Sequence, residues 1–187
     1  MKKFNKVLIA TLCLASTVGT MAIAKPASAE TFTSGYTQVN SFNEGWKYSD
    51  GQWYYQRYQG NRVTGWLNNK GSWYYMNAYG YMQTGWREVG SQWYYFDKGG
   101  KMQTGWVKHN GTWYYLCNTG QMLAGSWMQE GSKWYFLKES GGMATGWLNE
   151  GNATYYLLSD GSLMMKPFKI KDITYYPNSA GAVSARG

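Results

Sequence analysis

The sequence predicts an all-β solenoid built from stacked β-hairpins. Three observations support this fold class: a Gly-Trp pair returns every 20 residues, a Trp-Tyr-Tyr segment follows it at a constant spacing, and glycines separate the units. Trp, Tyr and Gly supply 11, 18 and 24 of the 187 residues, whereas the aliphatic residues of an ordinary core are sparse. Self-similarity at a short, regular period is the signature of a repeat protein.

The first 29 residues have the pattern of a secretory signal peptide. A lysine-rich start precedes an uncharged, largely apolar stretch, and Ala27-Ser28-Ala29 matches a small-residue cleavage site. We therefore expect a secreted chain that begins at Glu30 and has no transmembrane anchor. Cleavage removes four lysines and no acid, which lowers the net charge from +8 to +4. This surplus suits an anionic wall polymer and is too small and scattered to indicate nucleic acid.

The mature chain divides into a polar lead-in segment (30–44), a repeat region (45–184) and a short tail (185–187). The repeat region holds about six units and a degenerate C-terminal cap. Its last unit contains prolines, which we expect to discourage a further strand from pairing at that end.

Each unit is predicted to be one hairpin. The Gly-Trp segment forms the first strand, and the Trp-Tyr-Tyr segment forms the second because its residues suit a pleated surface. Asn69-Lys70-Gly71 and His109-Asn110-Gly111 predict tight turns between the two strands. A lone hairpin is marginally stable in water, so we expect the units to stack on one another.

Alternation along the second strand separates the aromatic rings into two groups. It places Trp73 and Tyr75 on one face of the hairpin and Tyr74 on the other. We therefore expect the middle ring of each Trp-Tyr-Tyr segment to pack between hairpins. These rings belong to Tyr54, Tyr74, Tyr94, Tyr114 and Tyr135.

The repeated pattern G-W-x6-W-Y-Y-x5-G-x-M resembles the choline-binding, or cell-wall-binding, repeats of Gram-positive surface proteins and wall hydrolases. The resemblance covers about residues 45–184. It implies a left-handed β-solenoid in which choline of teichoic acids binds between consecutive units. Each cage would use both tryptophans of one repeat, the third Trp-Tyr-Tyr position of the next repeat, and the methionine between them.

Transferred to this chain, the resemblance implies four cages. They are Trp66, Trp73, Met82 and Tyr95; Trp86, Trp93, Met102 and Tyr115; Trp106, Trp113, Met122 and Phe136; and Trp127, Trp134, Met143 and Tyr156. In the third, Phe136 replaces a tyrosine and Ser126 is inserted.

Two further units depart from the cage pattern. The set Trp46, Trp53 and Tyr75 ranks below the four cages, because Arg62 replaces its methionine and would repel a cationic ligand. The unit at Trp147 has Thr154 in place of its second tryptophan and is expected to bind nothing.

We therefore expect a non-catalytic protein without cofactor or metal, held non-covalently on the Gram-positive wall. Its partner would be choline or phosphocholine of wall teichoic or lipoteichoic acid. The single histidine, His109, lies in a predicted turn, and the ten acids are dispersed, so nothing indicates an acid–base pair. The alternatives are a glucan-binding or other carbohydrate-binding module, and a wall-anchored adhesin that meets host or wall proteins. The oligomeric state is left open.

Overall fold

Every regular element in residues 43–186, the range that the computed structural model describes, is a β-strand. The predicted signal peptide and nearly all of the lead-in segment lie outside the described residues. The strands are β1 (Gly45–Ser49), β2 (Gln52–Gln56), β3 (Gly65–Asn69), β4 (Ser72–Met76), β5 (Gly85–Val89), β6 (Gln92–Phe96), β7 (Gly105–His109), β8 (Thr112–Leu116), β9 (Ser126–Glu130), β10 (Lys133–Leu137), β11 (Gly146–Glu150), β12 (Ala153–Leu157), β13 (Phe168–Ile170), β14 (Ile173–Pro177) and β15 (Val183–Arg186).

Consecutive strands pair antiparallel to give hairpins, which we number 1 to 7 from β1–β2 to β13–β14. In the last unit β15 also pairs with β14. The predicted architecture of repeated β-hairpins is confirmed. The described chain divides into two compact units, which cover residues 43–103 and 104–186. Hairpins 1 to 3 belong to the first unit and hairpins 4 to 7 to the second.

Two-residue turns connect the strands of a hairpin. The tip of hairpin 2 is Lys70-Gly71, with φ of 51° and 80°, and the tip of hairpin 4 is Asn110-Gly111, with φ of 47° and 81°. Positive φ at both positions defines a type I′ turn, whose twist matches that of the flanking strands. The turns predicted at these positions are confirmed.

The two faces of a hairpin carry different residues. In hairpin 2, Trp66 lies opposite Tyr75, and Trp73 lies opposite Asn68, so all four side chains share one side. We call this side the tryptophan face and the opposite side the inner face. The inner face of hairpin 2 carries Tyr74 among others.

The inner faces supply most of the core. Tyr74 and Tyr94 are buried, as expected of packing residues. The residue that follows Trp-Tyr-Tyr was not predicted to be part of the core, yet its side chain is the most deeply buried of its hairpin. These residues are Met76, Phe96, Leu116, Leu137 and Leu157. This core position is recognisable in the sequence, because a large apolar residue recurs there with the period of the repeat.

Neighbouring hairpins stack with the tryptophan face of one against the inner face of the next. In the first unit, Trp46 of hairpin 1 packs against the cluster of Leu67 and Met76 in hairpin 2. In the second unit the same arrangement produces clusters that contain Leu137, between hairpins 4 and 5, and Leu157, between hairpins 5 and 6.

The connection that follows a hairpin folds back over the hairpin before it. The backbone N–H of Met82, after hairpin 2, donates to the carbonyl of Trp53 in hairpin 1 at 2.7 Å. In the same way Met143, after hairpin 5, donates to Trp113 in hairpin 4 at 2.7 Å. Gly161 has φ of +81°, and a side chain there would collide with the Met143 thioether, so this turn requires glycine.

The C-terminal unit departs from its prediction. Pro177 ends β14 and pairs with Val183 of β15, so a further strand does join this edge. A proline at the end of a strand removes only one donor from the ladder. The expectation that the prolines exclude another strand is therefore wrong.

Substitution of Leu137 tests the position of the core. Leu137→Ala should lower the free energy of unfolding by about 2–5 kcal/mol, because a fully buried leucine loses its transfer free energy and its packing contacts. Urea unfolding followed by tryptophan fluorescence measures this loss. Met165→Ala is the control, since Met165 is 46% exposed and should cost much less. Equal losses in the two variants would contradict the assignment of Leu137 to the core.

An ion pair joins hairpin 5 to the connection that follows hairpin 6. Lys133 Nζ lies 2.9 Å from Asp160 Oδ2, and both side chains are about half exposed. The hydroxyl and the backbone N–H of Ser162 also donate to the Asp160 carboxylate, at 2.6 and 2.9 Å. The bonds from Ser162, together with Lys133, lower the pKa of Asp160 from 3.8 to about 2.

This lowered pKa predicts a pH-dependent contribution to stability. The charged Asp160 stabilises the folded chain above pH 3.8, and that contribution is lost as the pH falls toward 2. Asp160→Asn should therefore lower the melting temperature at neutral pH and converge with the wild type near pH 2. Because the pair is half exposed, the difference at neutral pH should be about 1 kcal/mol or less. Melting curves across this range measure it, and a gap that does not change with pH would contradict it.

Candidate ligand-binding site

Two tryptophans on the tryptophan face of hairpin 2 form a right-angled corner. The ring centroids of Trp66 and Trp73 are 6.2 Å apart and their planes meet at 87°. The two side chains are 36% and 44% exposed, whereas the inner-face ring Tyr74 of the same hairpin is buried. The β3–β4 register holds them in this geometry because Trp66 and Trp73 lie on one face, diagonally across the two strands.

The first tryptophan of this corner also contacts a buried ring of the next hairpin. Tyr94, on the inner face of hairpin 3, contacts Trp66 edge-on with centroids 4.9 Å apart. The same contact joins Trp46 to Tyr74 at 4.8 Å. In the second unit it is repeated by Trp106 with Tyr135 at 5.1 Å and by Trp127 with Tyr155 at 4.9 Å.

The contact between the first tryptophan of one hairpin and the middle tyrosine of the next thus recurs four times, and hairpins 2 and 4 also show the right-angled tryptophan pair. Together with the second tryptophan of each hairpin, these residues define four ring sets, each within one unit. We call them sets 1, 2, 4 and 5, after the hairpin that supplies the tryptophans. Set 1 is Trp46, Trp53 and Tyr74; set 2 is Trp66, Trp73 and Tyr94; set 4 is Trp106, Trp113 and Tyr135; and set 5 is Trp127, Trp134 and Tyr155.

The tyrosine of each set is the middle residue of Trp-Tyr-Tyr, whereas the predicted cages use the third position, whose role in ligand binding stays a prediction. The third position packs beside the first tryptophan of its own hairpin, as Tyr95 does with Trp86 at 5.1 Å. The pleat explains the difference, because adjacent residues of a strand point to opposite faces and only the inner face meets the preceding hairpin. The other residues placed in this way are Tyr75 with Trp66, Tyr115 with Trp106, Phe136 with Trp127, and Tyr156 with Trp147.

The backbones of the methionines join neighbouring hairpins. Met82, predicted to belong to the set of Trp73, donates its backbone N–H to the carbonyl of Trp53. The residue bonded to Trp73 is Met102, at 2.8 Å. Met143, predicted to serve Trp134, is bonded to Trp113. The connection lies between two neighbouring hairpins, because Met82 also bridges to Met76 of its own hairpin. The predicted place of the methionine side chains in the cages stays a prediction. Met122 bridges to Leu116 and its side chain lies against Gly141.

The guanidinium of Arg62 packs on two tyrosine rings of the first unit. It lies over the rings of Tyr54 and Tyr81, at 4.1 and 4.7 Å from their centroids. Tyr54 occupies the inner face of hairpin 1, whereas Trp53 occupies the tryptophan face. A hydrogen bond to Tyr81 raises the pKa of Arg62 above its ordinary value. The lower rank of set 1 stays a prediction.

Two further hairpins stand apart from these four sets. The cage of Trp86, Trp93, Met102 and Tyr115 draws residues from both compact units and stays a prediction. In hairpin 6, Trp147 contacts Tyr175 at 4.8 Å, but Thr154 replaces the second tryptophan. The Thr154 hydroxyl donates to Asn149 at 2.8 Å. Because threonine has no ring, this hairpin lacks the second aromatic side chain of a ring set.

Set 4 carries charged side chains as well as rings. The Trp106 indole Nε1 donates to Glu130 Oε2 at 2.8 Å. The Lys108 ammonium lies over the Trp113 ring, 5.7 Å from its centroid.

In the part of the chain that the structure describes, no group of His, Cys, Asp and Glu side chains could hold a metal ion. No helix long and apolar enough to cross a bilayer occurs there either.

Two family models match the repeat region. Residues 83–127 match the choline-binding repeat, and residues 64–82, 125–143 and 145–163 match the putative cell wall binding repeat. Together these matches cover more than half of the chain. No curated protein sequence matches significantly.

Several solved structures are similar to this one. Choline binding protein F from Streptococcus pneumoniae, solved in the presence of a peptidoglycan analogue, is 38% identical, with a TM-score of 0.71, over 76% of this chain and 52% of that chain. CbpJ from Streptococcus pneumoniae is 40% identical, with a TM-score of 0.70, over the same shares. CbpF in complex with ipratropium is 36% identical, with a TM-score of 0.69, over 76% of this chain and 54% of that chain. The chain thus spans about half the length of these relatives. The repeat matches and these structures together show that the chain belongs to the choline-binding protein family.

Proposed function

We propose that this protein binds choline groups through its ring sets and is thereby held on the surface of a Gram-positive cell wall. The observation that carries the proposal is the right-angled, partly exposed tryptophan pair closed by a tyrosine of the next hairpin, as in Trp66, Trp73 and Tyr94. The relatives named choline-binding proteins, one of them solved with a peptidoglycan analogue, support the ligand and the location.

The chemistry of the ring sets suits a quaternary ammonium. Such a group has a diffuse positive charge and no N–H with which to donate a conventional hydrogen bond. The electron-rich faces of aromatic rings attract it, and each contact contributes about 0.5–2 kcal/mol. Two perpendicular indoles and a phenol therefore present several faces to one small cation, which predicts weak binding at a single set.

Repetition converts weak sites into firm attachment. A wall polymer that bears many choline groups can occupy several sets at once, and the effective concentration of the later contacts raises avidity by ~10²–10⁴. This function requires no catalytic residues, and we propose that the protein is non-catalytic and secreted. Choline of teichoic or lipoteichoic acid is then the ligand, and the net positive charge favours approach to these anionic polymers.

A matched pair of tryptophan substitutions tests the proposal. Trp73→Ala should reduce the number of choline molecules bound at saturation by one, because set 2 loses a wall. Trp147→Ala should leave that number unchanged, because hairpin 6 lacks a second tryptophan. The two tryptophans are similarly exposed, at 44% and 46%, but Trp147 also packs against Tyr175 of the next hairpin, so Trp147→Ala is the more severe test of the fold. Calorimetric titration with choline gives the stoichiometry, and circular dichroism checks that both variants fold.

Two results would contradict the proposal. Tryptophan fluorescence that does not respond to millimolar choline would remove choline as the ligand. Retention on dextran, together with failure to elute from a tertiary-amine resin with free choline, would favour the carbohydrate-binding alternative. A loss of one site in both tryptophan variants would instead contradict the assignment of the sites to tryptophan pairs.

A further inference from the structure

One position on the tryptophan face varies in chemistry from hairpin to hairpin. It lies directly opposite the second tryptophan and is held beside that ring by the strand register. In hairpin 4 it is Lys108, opposite Trp113. The equivalent residues of the other hairpins that carry a tryptophan face are Tyr48, Asn68, Glu88, Gln129 and Asn149. Among these described positions, only hairpin 4 places a cation next to its rings.

Set 4 also has an anion, contributed by the following hairpin. Glu130 shares the inner face of hairpin 5 with Tyr135, and its carboxylate accepts a hydrogen bond from the Trp106 indole. The Lys108 ammonium lies over the other indole of the set, that of Trp113. The two indoles meet at 86° with centroids 6.4 Å apart, so one corner carries a negative charge on one wall and a positive charge on the other.

A bare quaternary ammonium does not match both charges. Bound between the rings, it would be attracted by Glu130 and repelled by Lys108, and it would compete with Lys108 for the face of Trp113. A phosphocholine group carries both signs on neighbouring atoms. Its trimethylammonium can occupy the rings near Glu130 while its phosphate oxygens accept hydrogen bonds from Lys108, whose flexible stem and three donors suit a phosphate.

We propose that Lys108 makes set 4 selective for phosphocholine over free choline. This inference rests on the proposed function, because it assumes that the ring sets bind a quaternary ammonium. It adds a residue that discriminates between the bare cation and the zwitterionic group, and it restricts that discrimination to one set.

Site-resolved titration tests the proposal. The protein is labelled with 5-fluorotryptophan, and the resonance of Trp113 is assigned by its absence in Trp113→Phe. In the wild type, choline and phosphocholine are titrated separately, and the Trp113 signal should report a roughly two- to fivefold higher affinity for phosphocholine, the range of an exposed charge pair. The preference should weaken at high salt. Lys108→Gln should abolish it, with choline affinity unchanged or improved.

Two other variants separate selectivity from general charge effects. Glu130→Gln should weaken both ligands by a similar factor and leave their ratio intact, because both carry the ammonium that the carboxylate attracts. Lys169→Gln removes the same charge from an exposed lysine that lies opposite Thr174, in a hairpin without tryptophan. It should leave the ratio at the wild-type value.

The outcomes distinguish this inference from the function on which it rests. If no tryptophan resonance of the wild type responds to either ligand, the proposed function fails, and this inference fails with it. If the resonances respond but Lys108→Gln leaves the ratio at Trp113 unchanged, or weakens both ligands equally, only the role of Lys108 is overturned.

The phosphocholine group could be carried by a wall polymer or by a lipid. Sedimentation with choline-containing walls and with phosphatidylcholine vesicles separates these sources. Binding that Lys108→Gln weakens selectively on walls supports the polymer as the source, and the same loss on vesicles supports the lipid. Because the other sets can maintain attachment, the Trp113 resonance is followed as well, and a response to walls and to vesicles that Lys108→Gln leaves unchanged would overturn the inference.

Discussion

The edge-to-face contact between the first tryptophan of one hairpin and the middle tyrosine of the next is the interaction on which the structure depends. It recurs with centroid distances of 4.8–5.1 Å. Such geometry is favoured because the positive edge of one ring meets the negative face of another. A two-stranded hairpin is marginally stable alone, so each hairpin needs this contact to persist. The rings that stabilise the stack are therefore the same rings that form the walls of the candidate site.

The sequence was sufficient for the repeat, the hairpins, their turns and the two-faced pattern of the strands, because all of these follow from local periodicity. It was not sufficient to show which residue of one hairpin meets which residue of the next. Tyr94 and Tyr95 are adjacent, chemically identical and repeated with the same period. Only the orientation of the stack, with the inner face toward the preceding hairpin, selects Tyr94.

The methionines illustrate a second limit of periodic reasoning. Met82 lies between the tryptophans of hairpin 2 and those of hairpin 3 in the sequence, which suggested that it serves hairpin 2. The backbone of Met82 in fact joins two hairpins, because it bridges to Met76 of hairpin 2 and donates to Trp53 of hairpin 1. The path of the connection also decides the surroundings of Arg62, whose guanidinium lies over the rings of Tyr54 and Tyr81. A period relates equivalent positions, but it does not give the path of the connection between them.

The inner face of each hairpin packs in the stack, whereas the tryptophan face carries the exposed residues beside the ring sets. The ring sets can therefore differ in charge while the packing between hairpins stays uniform. Positions that contact the preceding hairpin, such as the one filled by Phe96 and Leu137, remain large and apolar in successive hairpins. The position opposite the second tryptophan is exposed at Asn68 and at Lys108, so a change there removes no buried contact. Its charge can therefore vary from one hairpin to the next at little cost in stability. Because a polymer that bears many ligand groups would contact several sets at once, a set tuned to one head group alters selectivity while the remaining sets maintain attachment.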